Sequence, residues 1–170
     1  MKGRDIILGL LQKKRRTGYE INEVFKTIFS HFFNGSYGMI YPTLKKLEKE
    51  RVIEKEVVFQ EGKPNRNVFS ISEVGTKEFF EYLISPVQPE IRQSDFLMRM
   101  YFGEFVEHEV VIQWINDEIK QKTAQIDQLK TDYMKWKDKL TYTQKISYDI
   151  GIAQYEAEIK VLQAKLVEMG

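Results

Sequence analysis

Apolar positions along the chain change period several times, and each change predicts a new element. Gly3 to Gln12 places Ile6, Ile7, Leu10 and Leu11 at helical spacing, ahead of the basic run Lys13, Lys14, Arg15, Arg16. A second helix is expected from Thr17 or Gly18, carrying Tyr19, Ile21, Val24, Phe25 and Ile28. Asn34 and Gly35 suit a connection, and Ser36 can cap a following helix. Ile40, Leu44 and Leu47, then Val52 and Ile53, are spaced to fit one buried helical face, which leaves Lys45, Lys46 and Lys49 on or beside the exposed surface. Pro42 is compatible with two starts for this third helix. A start at Ser36 puts the proline in the second turn, where it bends the helix, whereas a start near Ile40 puts it in the first turn, where it is at home.

The period then shortens. Val57, Phe59, Val68, Phe69 and Ile71 supply two strand-forming runs around the tip Gly62, Lys63, Pro64, Asn65, Arg66. Helical spacing returns from Glu73 through Phe79, Phe80 and Leu83 and is broken by Ser85, Pro86 and Pro89. That break predicts two domains, 1–85 and 90–170. Beyond it, Phe96, Leu97, Met100 and Tyr101 predict a short amphipathic helix, with Gly103 as a connection. Val111, Ile115, Ile119, Ile126, Leu129, Tyr133, Trp136 and Leu140 then predict a long helix in which Lys122 fills one apolar step. A second series, Tyr148, Ile152, Tyr155, Ile159, Leu162, Leu166 and Met169, changes phase near Thr141 to Lys145, so a hairpin of two long helices is expected. Such stripes leave more apolar area than a lone helical pair covers, and Ile115, Ile119, Ile126, Leu129, Ile159, Leu162 and Leu166 are the candidate dimerisation residues.

Composition narrows the classes. At 170 residues with 42% apolar content the chain folds around one good core or a small domain with an accessory element. It has no cysteine, which excludes disulfides, thiolate chemistry and sulfur-bound zinc. The opening apolar run, Ile6 to Leu11, is too short for a signal peptide and no stretch is long enough to span a bilayer, so a cytoplasmic protein with no membrane partner is expected. His31 and His108 are isolated, the acids are spaced like solvated faces, and Gly35-Ser36-Tyr37-Gly38 lacks the lysine of a phosphate-binding loop. No enzyme, metal or cofactor is expected. The net charge of +1 conceals a division: residues 1–72 hold fourteen Lys or Arg against eight Asp or Glu, while the remainder holds twelve against seventeen. The first part suits a polyanion.

Helix, helix, helix and basic-tipped hairpin is the order of a winged helix-turn-helix. The fold class expected is mainly α with a small β wing, followed by a coiled-coil-like helical dimerisation domain. Within that frame the chain resembles the PadR family of bacterial transcriptional regulators. The residues that carry the likeness are Gly18, Tyr19, Glu20 and Ile21, then Gly38, Ile40, Tyr41, Pro42, Leu44, Leu47 and Glu48, then Gly62, Lys63, Pro64, Arg66 and Phe69. The likeness is specific over roughly the first half and general over the second. One departure stands out: the family usually has glycine where this chain has Arg51. A turn there with positive φ strains an arginine, whereas a helix end without that conformation accepts it and gains a surface cation.

The resemblance implies a regulator that binds double-stranded DNA as a homodimer on an inverted repeat, usually a repressor responsive to a small molecule. Candidates for the major groove are Ser36, Tyr37, Met39, Tyr41, Thr43 and Lys46, near the start of the recognition helix. Lys63, Asn65 and Arg66 are candidates for the wing's contacts, and Tyr19 is a candidate phosphate donor. Two-fold symmetry would set two recognition helices roughly 34–36 Å apart. Phe96, Trp114 and Trp136 are candidate effector-pocket residues. The competing reading is a winged-helix module that binds another protein, or an architectural role with weak, sequence-indifferent DNA binding.

Overall fold

The computed structural model describes residues 2–27, 29, 37–59, 61–62, 65–91 and 93–170. It divides into two compact units, Met1–Pro89 and Glu90–Gly170. The first contains helix α1 (Gly3–Lys13), strand β1 (Arg16–Thr17), helix α2 (Gly18–Thr27), a 3-10 turn (Tyr37–Met39), helix α3 (Ile40–Lys49), strands β2 (Ile53–Val58) and β3 (Arg66–Ile71), and helix α4 (Glu73–Ile84). The expected Ile28 and Ser36 lie outside the described residues.

Side chains of five elements meet in one core. Ile6, Ile7, Leu8, Leu10 and Leu11 from α1 pack with Ile21 and Phe25 of α2, Ile40, Leu44 and Leu47 of α3, Val52 beyond its end, and Ile53 and Phe69 of the hairpin. Three antiparallel strands lie in the order β1-β3-β2, with Arg16 opposite Phe69 and the β2–β3 ladder running from Ile53↔Ile71 to Val58↔Arg66. Phe59 was expected within the first strand but falls beyond this ladder. Helix α2 opens on a reciprocal box: the Thr17 backbone N–H donates to Glu20 Oε2 at 2.7 Å, and the Glu20 N–H donates back to Thr17 Oγ1 at 3.2 Å. Arg4 of α1 reaches Glu78 of α4, with Nη2 donating to Oε2 at 2.6 Å, and also pairs with Glu50 at the end of α3.

Helix α3 starts at Ile40, so Pro42 sits in the first turn, where a missing N–H costs nothing. The helix is capped by Met39 without a side-chain hydrogen bond. Its end corrects one expectation: Val52 and Ile53 do not continue the helix. The Arg51 N–H donates to the Glu48 carbonyl at 3.0 Å and the Val52 N–H to the Leu47 carbonyl at 3.0 Å, the paired bonds of a Schellman turn, with buried Val52 and Leu47 as its apolar partners. Arg51 occupies the left-handed position of that turn, at φ 58°. The strained alternative for this arginine is therefore the one realised.

The second unit contains α5 (Asp95–Tyr101), a 3-10 turn (Gly103–Phe105), and the long helices α6 (His108–Trp136) and α7 (Tyr142–Met169). The expected change of phase is the turn between the long helices. Leu140, read as part of the first of them, lies in that turn, because the next helix begins on its own box: Gln144 N–H donates to Thr141 Oγ1 at 3.3 Å, and Thr141 N–H to Gln144 Oε1 at 3.0 Å. Val111, Ile115, Ile126, Leu129 and Tyr148 form the buried seam of this unit. Lys122, the apolar step that is missing, bridges the two helices by pairing with Glu118 at 3.1 Å and Glu158 at 2.5 Å. Burial pulls its pKa down, but the bonds to Glu158 and Glu118 and their charges prevail, and the lysine titrates above its ordinary range.

A left-handed turn position costs an L-residue about 1 kcal/mol that glycine does not pay. Arg51→Gly is therefore expected to raise the unfolding free energy by about 1 kcal/mol, read as a higher urea midpoint at unchanged slope; a lower midpoint would show that the arginine side chain contributes more than its backbone costs.

Candidate nucleic-acid interface

The face of α3 turned from the core is polar and cationic. Tyr41, Pro42, Lys45, Lys46 and Lys49 are exposed, and Met39 and Thr43 are half-buried. Tyr41 is 60% exposed yet seated: a Cβ built on Gly18 would come within 2.7 Å of its ring carbon Cε1 and 3.4 Å of its hydroxyl. The bare backbone at the start of α2 thus forms the floor under the tyrosine ring. Lys46 extends into solvent, with Glu50 3.9 Å away and that carboxylate already engaged by Arg4. Tyr19, beside Gly18 in the first turn of α2, is 66% exposed.

The wing enters the same neighbourhood. Arg66 opens β3 opposite Val58, and both Arg66 and Asn65 are exposed. The Glu20 carboxyl is held below its usual range, first by the Thr17 backbone N–H, against the opposing effect of burial, then by the Thr17 hydroxyl and the charges of Arg66 and Lys14. Arg66 is thus close enough to act on the first turn of α2. Tyr41 sits against Gly18 and the Arg66 charge acts on Glu20 of the same Thr17–Glu20 segment, whereas Lys46, five positions beyond Tyr41, is turned about 140° away around α3. Ser36 and Lys63 lie outside the described residues, and Tyr37 is described only as part of the 3-10 turn.

Two basic residues near the surface are already spent. Arg15 pairs with Glu56, and Lys55 pairs with Glu48 at 2.8 Å. Gly18 lies under the Tyr41 ring and Glu20 holds the start of α2, and neither offers a side chain that a search for DNA contacts would pick out. Their signal is the Thr17-x-x-Glu20 spacing, which marks a helix start and so fixes where Gly18 must lie.

In the second unit the candidates separate. Phe96 lines a cavity of about 260 Å3 with Leu97, Val161 and Leu162. Trp114 lies beneath the Arg99 guanidinium, 5.7 Å from its ring centre, and Trp136 is exposed with Lys139 5.6 Å above it. Twenty-two positions on one helix put the tryptophans roughly 33 Å apart, so Phe96, Trp114 and Trp136 do not line one pocket within a chain. The dimerisation set divides as well. Ile115, Ile126 and Leu129 are 1%, 5% and 0% exposed, because packing within the chain already covers them and leaves almost no area for a partner. Ile119, Ile159, Leu162 and Leu166 are half-buried. The exposed apolar surface lies elsewhere, on Leu97, Met98, Tyr101, Phe102 and Phe105 around α5 and on Ile146, Ile150, Val161 and Val167 of α7.

Among the described residues no group of three or more His, Asp or Glu is arranged to hold a metal ion, and no helix is long and apolar enough to cross a membrane. Residues 7–81 match the model of the transcriptional regulator PadR-like family. Over their whole length, two crystal structures superpose on this chain with a TM-score of 0.92. A PadR-like transcriptional regulator from Bacillus cereus is 46% identical, covering 99% of this chain and 98% of its own. A Streptococcus mutans protein is 49% identical, covering 98% and 99%. The negative transcriptional regulator PadR of Bacillus subtilis is 29% identical over 131 residues, 76% of this chain and 71% of that protein. Its complex with operator DNA has the same fold at a TM-score of 0.83 and 22% identity. With a helix-turn-helix and a β wing in one unit, and with relatives alike over nearly the full length, the chain belongs to the PadR-like family of transcriptional regulators, which carry a winged helix-turn-helix.

Proposed function

We propose that this regulator is a repressor that binds an inverted-repeat operator as a homodimer and responds to a small molecule. The observation that carries the DNA-binding part is the seating of the exposed Tyr41 on Gly18, in the first turn of α2, whose Glu20 also feels the charge of the exposed Arg66. In this reading Tyr41, at the start of α3, reaches base edges, while Arg66, Asn65 and Lys63 meet phosphate or the minor groove. Residues 1–85 are the DNA-binding part and 90–170 the part that pairs and senses. Pairing is supported by the exposed apolar side chains of α5 and α7. Repression and effector response are supported by the name of the Bacillus subtilis relative and by the solved complex of that protein with p-coumaric acid.

Selection of genomic fragments on the purified protein at moderate salt tests the reading directly. Enrichment of a short inverted repeat is expected; retention without sequence preference would favour an architectural role. Sedimentation at micromolar concentration should give twice the chain mass, and a monomer would remove the two-fold operator model. On the selected fragment, Arg66→Ala should weaken binding and reduce the salt slope by about 1, as for one lost phosphate contact.

A Cβ at residue 18 would push the Tyr41 ring from its seat without touching any charge. Gly18→Ala should therefore lower specific affinity by about tenfold, on the order of 1.4 kcal/mol, while the salt slope stays fixed. In a Tyr41→Ala background the same change should cost almost nothing. Equal losses in both backgrounds would mean that Gly18 acts on the domain and not on the tyrosine.

A further inference from the structure

The face of α3 turned from the core has two flanks, and ion pairs mark where each one leads. At about 100° per residue, Lys45 stands about 40° around the helix from Tyr41 and one turn further along, with Glu48 about 20° to the other side of Tyr41. Lys49 follows at about 80°, Lys46 at about 140°, and Glu50, at the helix end, at about 180°. Glu48 holds Lys55 of β2 at 2.8 Å, so the Tyr41 flank is the one that adjoins the wing. Glu50 is bonded to Arg4 of α1 and lies 3.9 Å from Lys46, so the Lys46 flank is the one that adjoins the first helix. Lysines that are neighbours in the sequence thus serve different sides of the helix.

We propose that Lys45 is the α3 lysine that contacts DNA, its ammonium set on a backbone phosphate beside the bases that Tyr41 meets, and that Lys46 makes no contact. The assignment rests on the reading that the Tyr41 flank and the wing grip one duplex. Lys45 is exposed, and Glu48, the carboxylate one turn ahead of it on the same flank, is taken by Lys55. Lys55 thereby keeps an acid of α3 from competing with phosphate for Lys45. A lysine about 140° from Tyr41 points to the side of α3 where Arg4 and Glu50 are joined, away from the wing. Phosphate is the partner because a flexible stem with a compact charge suits a backbone oxygen, whereas base edges are read by side chains held in place, as Tyr41 is by Gly18.

Titration of the full chain against the fragment it selects and against an unrelated duplex of equal length, each over a series of salt concentrations, reads the contact. Lys45→Gln should weaken binding to both duplexes alike, by about fivefold near ~0.15 M salt, and lower the salt slope by about 1, as for one phosphate left unneutralised. Lys45→Arg should restore affinity and slope together, which a loss of folding would not allow. Lys46→Gln should leave affinity within about twofold and the slope unchanged. Equal effects of the two Gln variants would overturn the proposal, as would a Lys45→Gln chain that binds like the wild type. A loss confined to the selected fragment at unchanged slope would make Lys45 a reader of bases and overturn the phosphate contact. The failures are distinguishable: a wild-type chain that binds neither duplex refutes the DNA-binding reading and the assignment with it, whereas a silent Lys45→Gln in a chain that binds refutes the assignment alone.

Discussion

One backbone carbonyl governs how α3, the wing and α4 are joined. The Val52 oxygen accepts the Ser72 N–H at 3.1 Å, the Ser72 hydroxyl lies 2.9 Å from it, and a Cβ on Gly75 would come within 2.2 Å. Such an approach is open to glycine alone, and Ser72 uses its Oγ to accept the Gly75 N–H at 3.1 Å as the cap of α4. Three junctions thereby share one point: the end of the recognition helix, the start of the wing and the return of the chain from the wing into α4. Fixing that point fixes the angle at which β2 leaves α3, and hence where Arg66 stands relative to Tyr41. The Arg4 links to Glu78 and Glu50 fasten the same corner from α1.

The helical unit is governed by a different constraint, the placement of charge inside an apolar seam. Asp132 is almost fully buried, yet it accepts from Gln128 at 2.8 Å and Lys135 at 3.2 Å, within a turn of its own helix. Lys122 instead reaches across to α7. A slip of either helix by one turn would leave that lysine buried without Glu158, at a cost well above that of a displaced leucine. The polar pair thus selects one register among several that the apolar stripes alone would accept.

What the sequence made legible follows from which interactions have a period. Helices α1 to α3, the hairpin and the two long helices all repeat their contacts along the chain, and were readable from Ile40, Leu44 and Leu47 or from Ile115 and Ile126. Val52 misled because the Schellman turn folds the residue beyond a helix end back onto the same core face as Leu47, where it imitates one more helical step. Ile115, Ile126 and Leu129 misled for a related reason: a seam inside an antiparallel hairpin has the same period as a seam between two chains. The seat of Tyr41 on Gly18 was out of reach, since it is a contact between helices with no local signature. The Lys122 gap was visible, but its partner Glu158 lies thirty-six positions away and only folding brings them together.

The two tryptophans have a consequence for how the molecule can be observed. Both belong to the helical unit, and residues 1–89 have none. Trp114 is half-buried beneath a guanidinium, and Trp136 lies open at the far end of the same helix. Intrinsic fluorescence excited at the indole band is therefore blind to α3 and reports solely on the surroundings of α6. The two indoles thus give the helical unit an optical signal of its own, separate from anything residues 1–89 can emit at that wavelength.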